Sequence, residues 1–487
     1  MHPIFENPSA LEQMAKEKYS IPPFLMMENA ASALAMLIKK LSSEEKSDVF
    51  IFCGKGNNGA DGLALARLLQ STKNVIVYCP QVPVTSEGLV QYNMAEKLNI
   101  SIRSSFESFY EDFNKNSKNN CIIVDCIYGT GFHGELKKEL QELFINLNKI
   151  KNSIRISCDI PSGLGLPNSF KADYTVTMGE LKTSLFSDSV KAVTGELIVA
   201  ELGFERKQLE GLTKPAAFLV TKDDLKLPFR TIASTNKGNF GHTLVFAGSK
   251  SGAAILSATA ALSFGSGLTS LYECKNSNIQ QFKLNPSIML GNTIPEKTTC
   301  VSIGSGLGTS IKEAIPTFTE WFNRTKTPNC VIDADMFSFP NIKELLEHLN
   351  SINNAKIILT PHLKELQSLL QKLDFKSEFT NCPLKEINRY AVGKILTEKY
   401  PNITIVMKSA ITFIAEKGLI YICNDGAPNL SKAGSGDVLA GMIAALLAQG
   451  YDAKDAAITA VEHHALTSKK LTPQSYNLTP ELLISNL

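Results

Sequence analysis

The amino-acid sequence predicts a two-domain α/β protein in which helices cover both faces of parallel sheets. Its 487 residues exceed the length of a typical single domain, and a hydrophobic content of 44% is enough to build substantial cores. Short apolar runs alternate with stretches of helical periodicity along the whole chain. This alternation is typical of parallel sheets, whose ligands lie at the carboxyl ends of the strands.

The first half contains four apolar runs that predict buried strands, at residues 49–52, 75–78, 121–124 and 154–157. Each run ends in a segment that contains glycine or aspartate. Because the carboxyl ends of parallel strands meet at one edge of the sheet, we expect these segments to converge on one crevice.

A charged, proline-containing stretch at residues 204–240 separates the two halves, and we place the domain boundary near residue 212. The predicted domains are therefore residues 1–212 and 213–487. The second half predicts strands at residues 243–247, 300–303, 330–333, 357–360 and 403–407, followed by a helix of small residues at 435–449. No fixed-period repeat relates the halves, so we expect two different folds.

Charge and cysteine usage exclude several classes of protein. The 49 basic and 47 acidic residues give a formal net charge of +2, so we expect no binding to nucleic acid or to an anionic membrane. No run of about 18 apolar residues and no signal sequence is found, which predicts a cytoplasmic location. The ten cysteines are scattered without a CxxC pair, as expected for reduced structural thiols.

The segment GKGNNGADG, residues 54–62, follows the first predicted strand and precedes a helical segment at 63–69. Glycines at such a position let backbone N–H groups approach a phosphate at a helix N-terminus. An ordinary glycine-rich turn is the alternative. A turn needs one polar side chain, whereas Asn57, Asn58 and Asp61 occur together here, and this favours a binding site.

Two further strand ends carry polar clusters. Asp125 precedes GTGFHGE at residues 129–135, and CDIPSG occupies residues 158–163. Either aspartate alone could be a cap or a turn residue. Together, the oxygens of Asn58, Asp125 and Ser162 suit a hard cation of low charge.

These segments, with MENAA at residues 27–31, resemble the NAD(P)H-hydrate epimerase family over roughly residues 1–205. The resemblance implies a Rossmann-like three-layer sandwich, with potassium bound by Asn58, Asp125 and Ser162. Asp159 would be the general acid/base that inverts C6 of the hydrated ring. The hydrate would contact Asn57, Asn58, Gly59, Ala60, Asp61, Gly129, Thr130, Gly131, Phe132, His133, Gly134, Glu135 and Asp159. Ala60 replaces a family glycine, which is tolerable only at a negative φ.

The segment NLSKAGSGD, residues 429–437, opens the predicted small-residue helix. N–H groups at such an opening can stabilise a transferring phosphoryl group, and Asp437 can deprotonate a substrate hydroxyl. A glycine-rich loop that merely packs a helix against a sheet is the alternative. The segment resembles the anion-hole motif of ribokinase-like proteins.

Further motifs in the second half are NKGNFGH at 236–242, GAAIL at 252–256, GSGLG at 304–308, TPHLKE at 360–365 and KSAIT at 408–412. In this order they resemble the ADP-dependent NAD(P)H-hydrate dehydratase family over about residues 230–487, which implies a ribokinase-like α/β domain. The hydrate would contact Ala253, Gly306, His362 and Asp437. The adenine nucleotide would contact Lys408, Ser409, Ala410, Ile411, Thr412 and Gly436. Leu363, Lys364 and Ser435 depart from the family pattern.

A histidine such as His362 is more often structural than a ligand contact, but its place at a strand end favours the second interpretation. The magnesium that accompanies nucleotide phosphates is expected too, although the sequence offers no dedicated ligand set for it. We also expect a homo-oligomer, as in the resembled families.

The two resemblances imply a bifunctional, metabolite-repairing enzyme, both isomerase and lyase. It would interconvert the R and S hydrates of NADH and NADPH, and dehydrate the S form with ADP as co-substrate, giving AMP and phosphate. One alternative is a second half that only phosphorylates a small alcohol, against which fusion to an epimerase-like half argues. Another is a first half that only binds a nucleotide, against which the presence of Asp125 and Asp159 argues.

Overall fold

The computed structural model describes residues 1–6, 8–42, 47–116, 121–471 and 476–487. The chain divides into two compact units: the first unit is Pro3–Ala216, and the second unit is Ala217–Leu487 together with Met1–His2. In the part of the chain that is described, no helix is long and apolar enough to cross a membrane. All ten cysteines are free thiols and nine of them are buried, as their scattered spacing predicts.

The first unit contains a parallel seven-stranded sheet of order β4-β3-β2-β5-β6-β7-β9 and a short parallel pair of β1 with β8. The strands are β1 (His2–Phe5), β2 (Asp48–Cys53), β3 (Asn74–Tyr78), β4 (Ser101–Arg103), β5 (Cys121–Cys126), β6 (Ser153–Cys158), β7 (Tyr174–Met178), β8 (Leu181–Lys182) and β9 (Glu196–Ala200). The helices are α1 (Pro8–Tyr19), α2 (Pro23–Leu41), α3 (Asn57–Leu69), α4 (Ser86–Lys97), α5 (Ser108–Asn116), α6 (Lys138–Leu147), α7 (Lys191–Thr194) and α8 (Arg206–Glu210).

Strand β2 shows why this sheet is covered on both faces. Val49 and Ile51 pack in one buried cluster, with residues of α2 and α3, whereas Phe50 and Phe52 pack in a second cluster, with residues of α5 and α6. Successive side chains of a strand point to opposite faces, so a strand buried on both faces is apolar throughout. The predicted three layers and the predicted parallel pairing are confirmed in this unit.

The second unit contains ten strands in the order β13-β12-β11-β14-β15-β16-β17-β18-β19-β10. They are β10 (Ala217–Leu219), β11 (His242–Ala247), β12 (Leu268–Glu273), β13 (Ile288–Gly291), β14 (Cys300–Ile303), β15 (Asn329–Ile332), β16 (Lys356–Leu359), β17 (Ile403–Met407), β18 (Thr412–Glu416) and β19 (Leu419–Cys423). The helices are α9 (Ser251–Ser263), α10 (Ile311–Arg324), α11 (Ile342–Ser351), α12 (Leu363–Lys372), α13 (Ser377–Thr380), α14 (Arg389–Lys399), α15 (Ser435–Ala448), α16 (Ala453–Lys470) and α17 (Pro480–Ile484).

The pairs β17–β18 and β18–β19 are antiparallel, and the other pairs of these ten strands are parallel. Helix α15 is the centre of the core, since every residue from Val438 to Ala448 is buried. Its small side chains allow close approach: a Cβ added at Gly441 would lie 2.0 Å from the carbonyl oxygen of Ser257 in α9. The α/β class predicted for this half is confirmed.

Candidate active sites

The glycine-rich segment of the first unit lets the backbone after β2 contact the backbone after β5. Helix α3 begins at Asn57, earlier than the predicted helical segment, directly after Gly54 and Gly56. A Cβ at Gly54 would lie 2.0 Å from the carbonyl oxygen of Ile127, so the backbone that follows β2 contacts the backbone that follows β5. Ala60 lies inside α3 and has no positive φ, so its replacement of a glycine causes no strain.

A cavity of about 550 Å³ lies at this edge of the sheet. The predicted residues that line it are Asn57, Asn58, Asp61, Gly129, Thr130, Gly131, Phe132, His133 and Asp159. Four other predicted contacts are not among its lining residues: Gly59 and Ala60 are buried in α3, and Gly134 and Glu135 are exposed. Helices α1 and α2 supply wall residues that sequence analysis missed, including Glu12 and Met26.

Asp159 is an ionised carboxylate in this cavity. Its backbone has a φ of 71°, and its Oδ2 accepts a hydrogen bond from the Thr130 N–H at 3.0 Å. The buried ammonium group of Lys182 lies 2.8 Å from its Oδ1. Burial acts to raise the pKa of Asp159, but the attraction of Lys182 and the hydrogen bonds prevail and hold it below its usual range.

The pKa of Asp61 is shifted in the opposite direction, because its carboxyl is buried and has no salt bridge among the described residues. Burial raises the pKa of Asp61 well above its usual value, and the negative charge of Asp159 adds to this rise. The thiol of Cys158 donates a weak hydrogen bond to its Oδ2 at 3.8 Å. The pKa values of the two cavity carboxyls are therefore shifted in opposite directions, which suits Asp61 as a proton donor and Asp159 as a proton acceptor.

Two of the three predicted cation ligands are joined directly. The Ser162 hydroxyl donates to Asp125 Oδ1 at 2.7 Å, and its N–H donates to Oδ2 at 2.7 Å. Burial raises the pKa of Asp125 to about 6, although these hydrogen bonds oppose the rise. Asn58 lines the cavity, and both polar atoms of its side-chain amide are buried without a hydrogen-bond partner.

Helix α15 of the second unit opens as the sequence predicts. It begins at Ser435 after Gly434, whose φ of 93° favours glycine, and Asp437 lies in its first turn. Burial raises the pKa of Asp437 to about 6, the charge of Asp333 adds to the rise, and a hydrogen bond with Ser305 opposes it. A Cβ at Gly436 would lie 3.4 Å from Lys408 Nζ, so this ammonium group faces the helix opening.

Asp333 organises this edge of the sheet, a role that sequence analysis missed. The predicted strand 330–333 ends one residue earlier, at Ile332, which leaves the Asp333 side chain at the strand end. Its Oδ1 lies 3.0 Å from Lys408 Nζ and accepts from the Thr360 hydroxyl at 2.7 Å, while Oδ2 accepts from the Ser305 hydroxyl at 3.3 Å. The carboxylate thus links the loops that follow β14, β16 and β17.

Two of the predicted hydrate contacts, Gly306 and His362, lie on these loops, and Ala253 lies in the first turn of α9. A Cβ at Gly306, whose φ is 67°, would lie 3.0 Å from the Ala253 Cβ, so these two residues are neighbours. His362 caps α12: its Nδ1 accepts from the Glu365 N–H at 3.2 Å, and its own N–H donates to Glu365 Oε2 at 2.9 Å. With 54% of its side chain exposed, His362 is available to a ligand as well.

Of the six predicted nucleotide contacts, residues 408–411 form the turn between β17 and β18, Thr412 begins β18, and Gly436 lies in α15. Lys408 is tied to the His362 loop by its N–H, which donates to the Pro361 carbonyl at 2.9 Å. The Ile411 side chain is fully buried, so only its backbone can face a ligand. Sequence analysis also missed His464, whose Nε2 donates to the Ser435 carbonyl at 3.1 Å and whose pKa burial lowers to about 4.

Known proteins resemble the chain over both units. Residues 243–487 match the family model of NAD(P)H-hydrate dehydratase, and residues 24–184 match the model of the YjeF-related protein N-terminus. A bifunctional NAD(P)H-hydrate repair enzyme of Helicobacter pylori is 35% identical over 497 residues, which cover 99% of each chain. The chain belongs to the family of bifunctional NAD(P)H-hydrate repair enzymes. The family resemblance predicted from the motifs is therefore confirmed.

Another repair enzyme of this family, from Dictyoglomus turgidum, is 30% identical and covers 95% of this chain and 92% of its own. Among solved structures, a ribokinase-like superfamily protein of Enterococcus faecalis is 25% identical, with a TM-score of 0.47, and covers 57% of this chain and 95% of its own. An ADP/ATP-dependent NAD(P)H-hydrate dehydratase of Bacillus subtilis, co-crystallized with ATP/Mg²⁺, is 24% identical, with a TM-score of 0.45, and covers 55% of this chain and 95% of its own.

Proposed function

We propose that the first unit interconverts the R and S hydrates of NADH and NADPH, and that the second unit dehydrates the S hydrate with ADP. Family membership supports both activities. The epimerase assignment rests on the geometry of one cavity: Asp61 and Asp159 both line it, and Lys182 Nζ lies 2.8 Å from Asp159 Oδ1. The dehydratase assignment rests on Asp437 in the first turn of α15, whose opening faces Lys408.

In the epimerase, C6 of the hydrated ring bears a hydroxyl next to the ring nitrogen. Asp61 donates a proton to this hydroxyl, and the C–O bond breaks with the help of the nitrogen lone pair. Water departs, and C6 becomes planar. Asp159 then removes a proton from the water that adds to either face of C6. Lys182 acts through Asp159 by keeping it ionised, so we assign it as a positioning residue.

Potassium is the proposed cation of this site, with Asn58, Asp125 and Ser162 as its ligands. The unpaired buried amide of Asn58 supports the assignment, because a buried polar group without a partner is costly. Ser162 and Asp125 offer hydroxyl and carboxylate oxygens, which hard cations prefer. The bound cation would supply positive charge at the cavity wall.

In the dehydratase, Asp437 removes the proton of the C6 hydroxyl. The oxygen bonds to the terminal phosphorus of ADP while the bond from phosphorus to AMP breaks. The N–H groups at the opening of α15 and the Lys408 ammonium stabilise the phosphoryl charge. Loss of phosphate from C6 and of a proton from C5 then restores the dihydronicotinamide, and the products are NADH or NADPH, AMP and phosphate.

The ligands of this second site are assigned as the motifs imply. The hydrate contacts Ala253, Gly306 and His362, and the nucleotide contacts Gly436 and residues 408–412. Magnesium is proposed to enter with the nucleotide phosphates, as this ion usually does.

The test is the recovery of absorbance at the reduced-nicotinamide band from purified S hydrate of NADH, with ADP, with ATP or with no nucleotide. We expect recovery with ADP and none without nucleotide. No recovery with either nucleotide would contradict the dehydratase assignment. Accumulation of a phosphorylated hydrate without NADH would favour a small-alcohol kinase instead.

Three wider assignments belong to the same proposal: a functional boundary near residue 212, a homo-oligomer and a cytoplasmic location. Light scattering on the purified chain tests the oligomer, and a monomer at all concentrations would contradict it.

A further inference from the structure

The loop between β12 and β13, residues 274–287, carries an exposed aromatic side chain at the edge of the sheet where the proposed dehydratase site lies. Phe282 is 43% exposed. The loop follows the carboxyl end of β12, a parallel neighbour of β11, and the carboxyl ends of β14, β15, β16 and β17 carry the site residues. The proposed dehydration mechanism assigns no role to the Phe282 ring.

The loop is anchored at two points, so the position of the ring is fixed. Ile279 is 1% exposed and packs in a buried cluster with Val245 and Ala254. Asn278 Oδ1 accepts a hydrogen bond from the Ser251 N–H at 2.7 Å, which ties the loop to the first turn of α9. The Phe282 N–H donates to the Ile279 carbonyl at 3.0 Å.

The ring lies against the first turn of α9, which carries the proposed hydrate contact Ala253. A Cβ added at Gly252 would lie 3.5 Å from both Cε1 and Cζ of Phe282. The next residue, Ala253, is the neighbour of Gly306, and a Cβ at Gly434, directly before α15, would lie 2.9 Å from Cδ1 of Leu256 in the same helix α9. A short series of contacts therefore leads from Phe282 to the opening of α15, whose first turn holds Asp437.

We propose that Phe282 is a substrate-binding residue of the dehydratase, which packs its ring against the hydrated nicotinamide ring. The inference rests on the proposed function of the second unit. Covering an exposed aromatic ring with the partly conjugated hydrate ring is favourable, since apolar surface is removed from water. Phe282 is 43% exposed, so part of its ring is accessible to a ligand.

The hydrate, rather than the adenine nucleotide, is the occupant that the positions favour. The nucleotide is assigned to the turn between β17 and β18, whereas β12 lies beyond β11, β14, β15 and β16 in the sheet order. The hydrate must place its C6 hydroxyl at Asp437, and its assigned contact Ala253 directly follows Gly252, the residue next to the Phe282 ring.

The test is the steady-state kinetics of the Phe282→Ala variant with the S hydrate of NADH and with ADP. We expect the KM for the hydrate to rise about tenfold, in the range of stacking contacts removed by alanine substitution. The kcat should stay within about twofold, and the KM for ADP should not change, because the ring contacts neither the phosphoryl group nor the nucleotide. Phe282→Tyr keeps a ring and should behave as the wild type.

Phe229→Ala is the matched control, because this phenylalanine of the same unit is 76% exposed and belongs to no proposed site. An unchanged KM for the hydrate in Phe282→Ala would overturn the inference, as would a rise in the KM for ADP instead. Melting temperatures of both variants separate binding effects from unfolding. A wild type that recovers no NADH with ADP would contradict the proposed function itself, which is a distinct outcome.

Discussion

The Lys182→Met substitution removes a buried ammonium group that lies 2.8 Å from Asp159 Oδ1 and 3.7 Å from Glu180 Oε1. Lys182 is 1% exposed, and methionine fills most of its volume without a charge. In the variant, burial of Asp159 is no longer opposed by a cation. We expect the pKa of Asp159 to rise, and the carboxyl to lose its role as a base at neutral pH.

The magnitude follows from the distance. Two unit charges 2.8 Å apart attract by about 6 kcal/mol at an effective dielectric constant of about 20. Burial of the lysine offsets part of this energy, and removal of one partner of a buried ion pair usually costs about 3–5 kcal/mol. We therefore expect the free energy of unfolding of the first unit to fall by about that amount. Loss of a general base should slow epimerisation by about 10²–10⁴-fold.

The assays are urea unfolding and the rate of conversion of R to S hydrate as a function of pH. Because only the ionised form of Asp159 acts as a base, the residual rate should rise at a higher pH than in the wild type. Lys171→Met, at an exposed lysine of the same unit, is the control and should change neither property. The double variant with Asp159→Asn should regain stability but not activity. A Lys182→Met variant with an unaltered pH profile would refute this reasoning.

Three further changes test other parts of the molecule. Asp437→Asn should lower the kcat of dehydration by about 10²–10⁴-fold and leave the KM for ADP within a few fold. In the wild type, the kcat of dehydration should fall below pH 6, since the pKa of Asp437 is raised to about 6 and only the ionised carboxylate is a base. Asp125→Ala should abolish the advantage of potassium over sodium in epimerisation while dehydration of S hydrate persists; equal wild-type rates in potassium, sodium and a bulky organic cation would remove the potassium assignment. His362→Ala should destabilise the second unit by about 1 kcal/mol, because it removes the cap of α12, and should raise the KM for the hydrate; a purely structural histidine would change the melting temperature alone.

Nine of the nineteen described strands were predicted, because burial on both faces leaves a plain apolar run, as at residues 49–52. Strand β7, Tyr174–Met178, was missed because two threonines interrupt the run. Both are fully buried, and their hydroxyls donate to the carbonyls of Thr194 and Glu180, at 2.6 Å and 3.2 Å. The local sequence pattern does not reveal these hydrogen-bond acceptors, which only the folded chain brings near. The pattern therefore predicts that both threonines are exposed.

Some site residues could be predicted from local motifs, whereas others are brought to the site only by the fold. Asp159 and Asp437 stand in glycine-rich motifs, so their place at a sheet edge could be predicted from sequence. Lys182 could not, since a lysine is normally exposed and its partner Asp159 lies 23 residues earlier in the chain. Asp333 directly follows an apolar run, which was a usable signal, but its bonds to residues 305, 360 and 408 depend on the order of the strands.

The most direct test of the whole account is the extent of NADH recovery from a mixture of R and S hydrates with excess ADP. If the chain has both activities, the R form is converted as the S form is consumed, and recovery proceeds to completion. The Asp159→Asn variant should stop at the fraction of S hydrate supplied. Wild-type recovery that also stops at this fraction, with pure S hydrate fully consumed in parallel, would contradict the claim that this chain is an epimerase as well as a dehydratase.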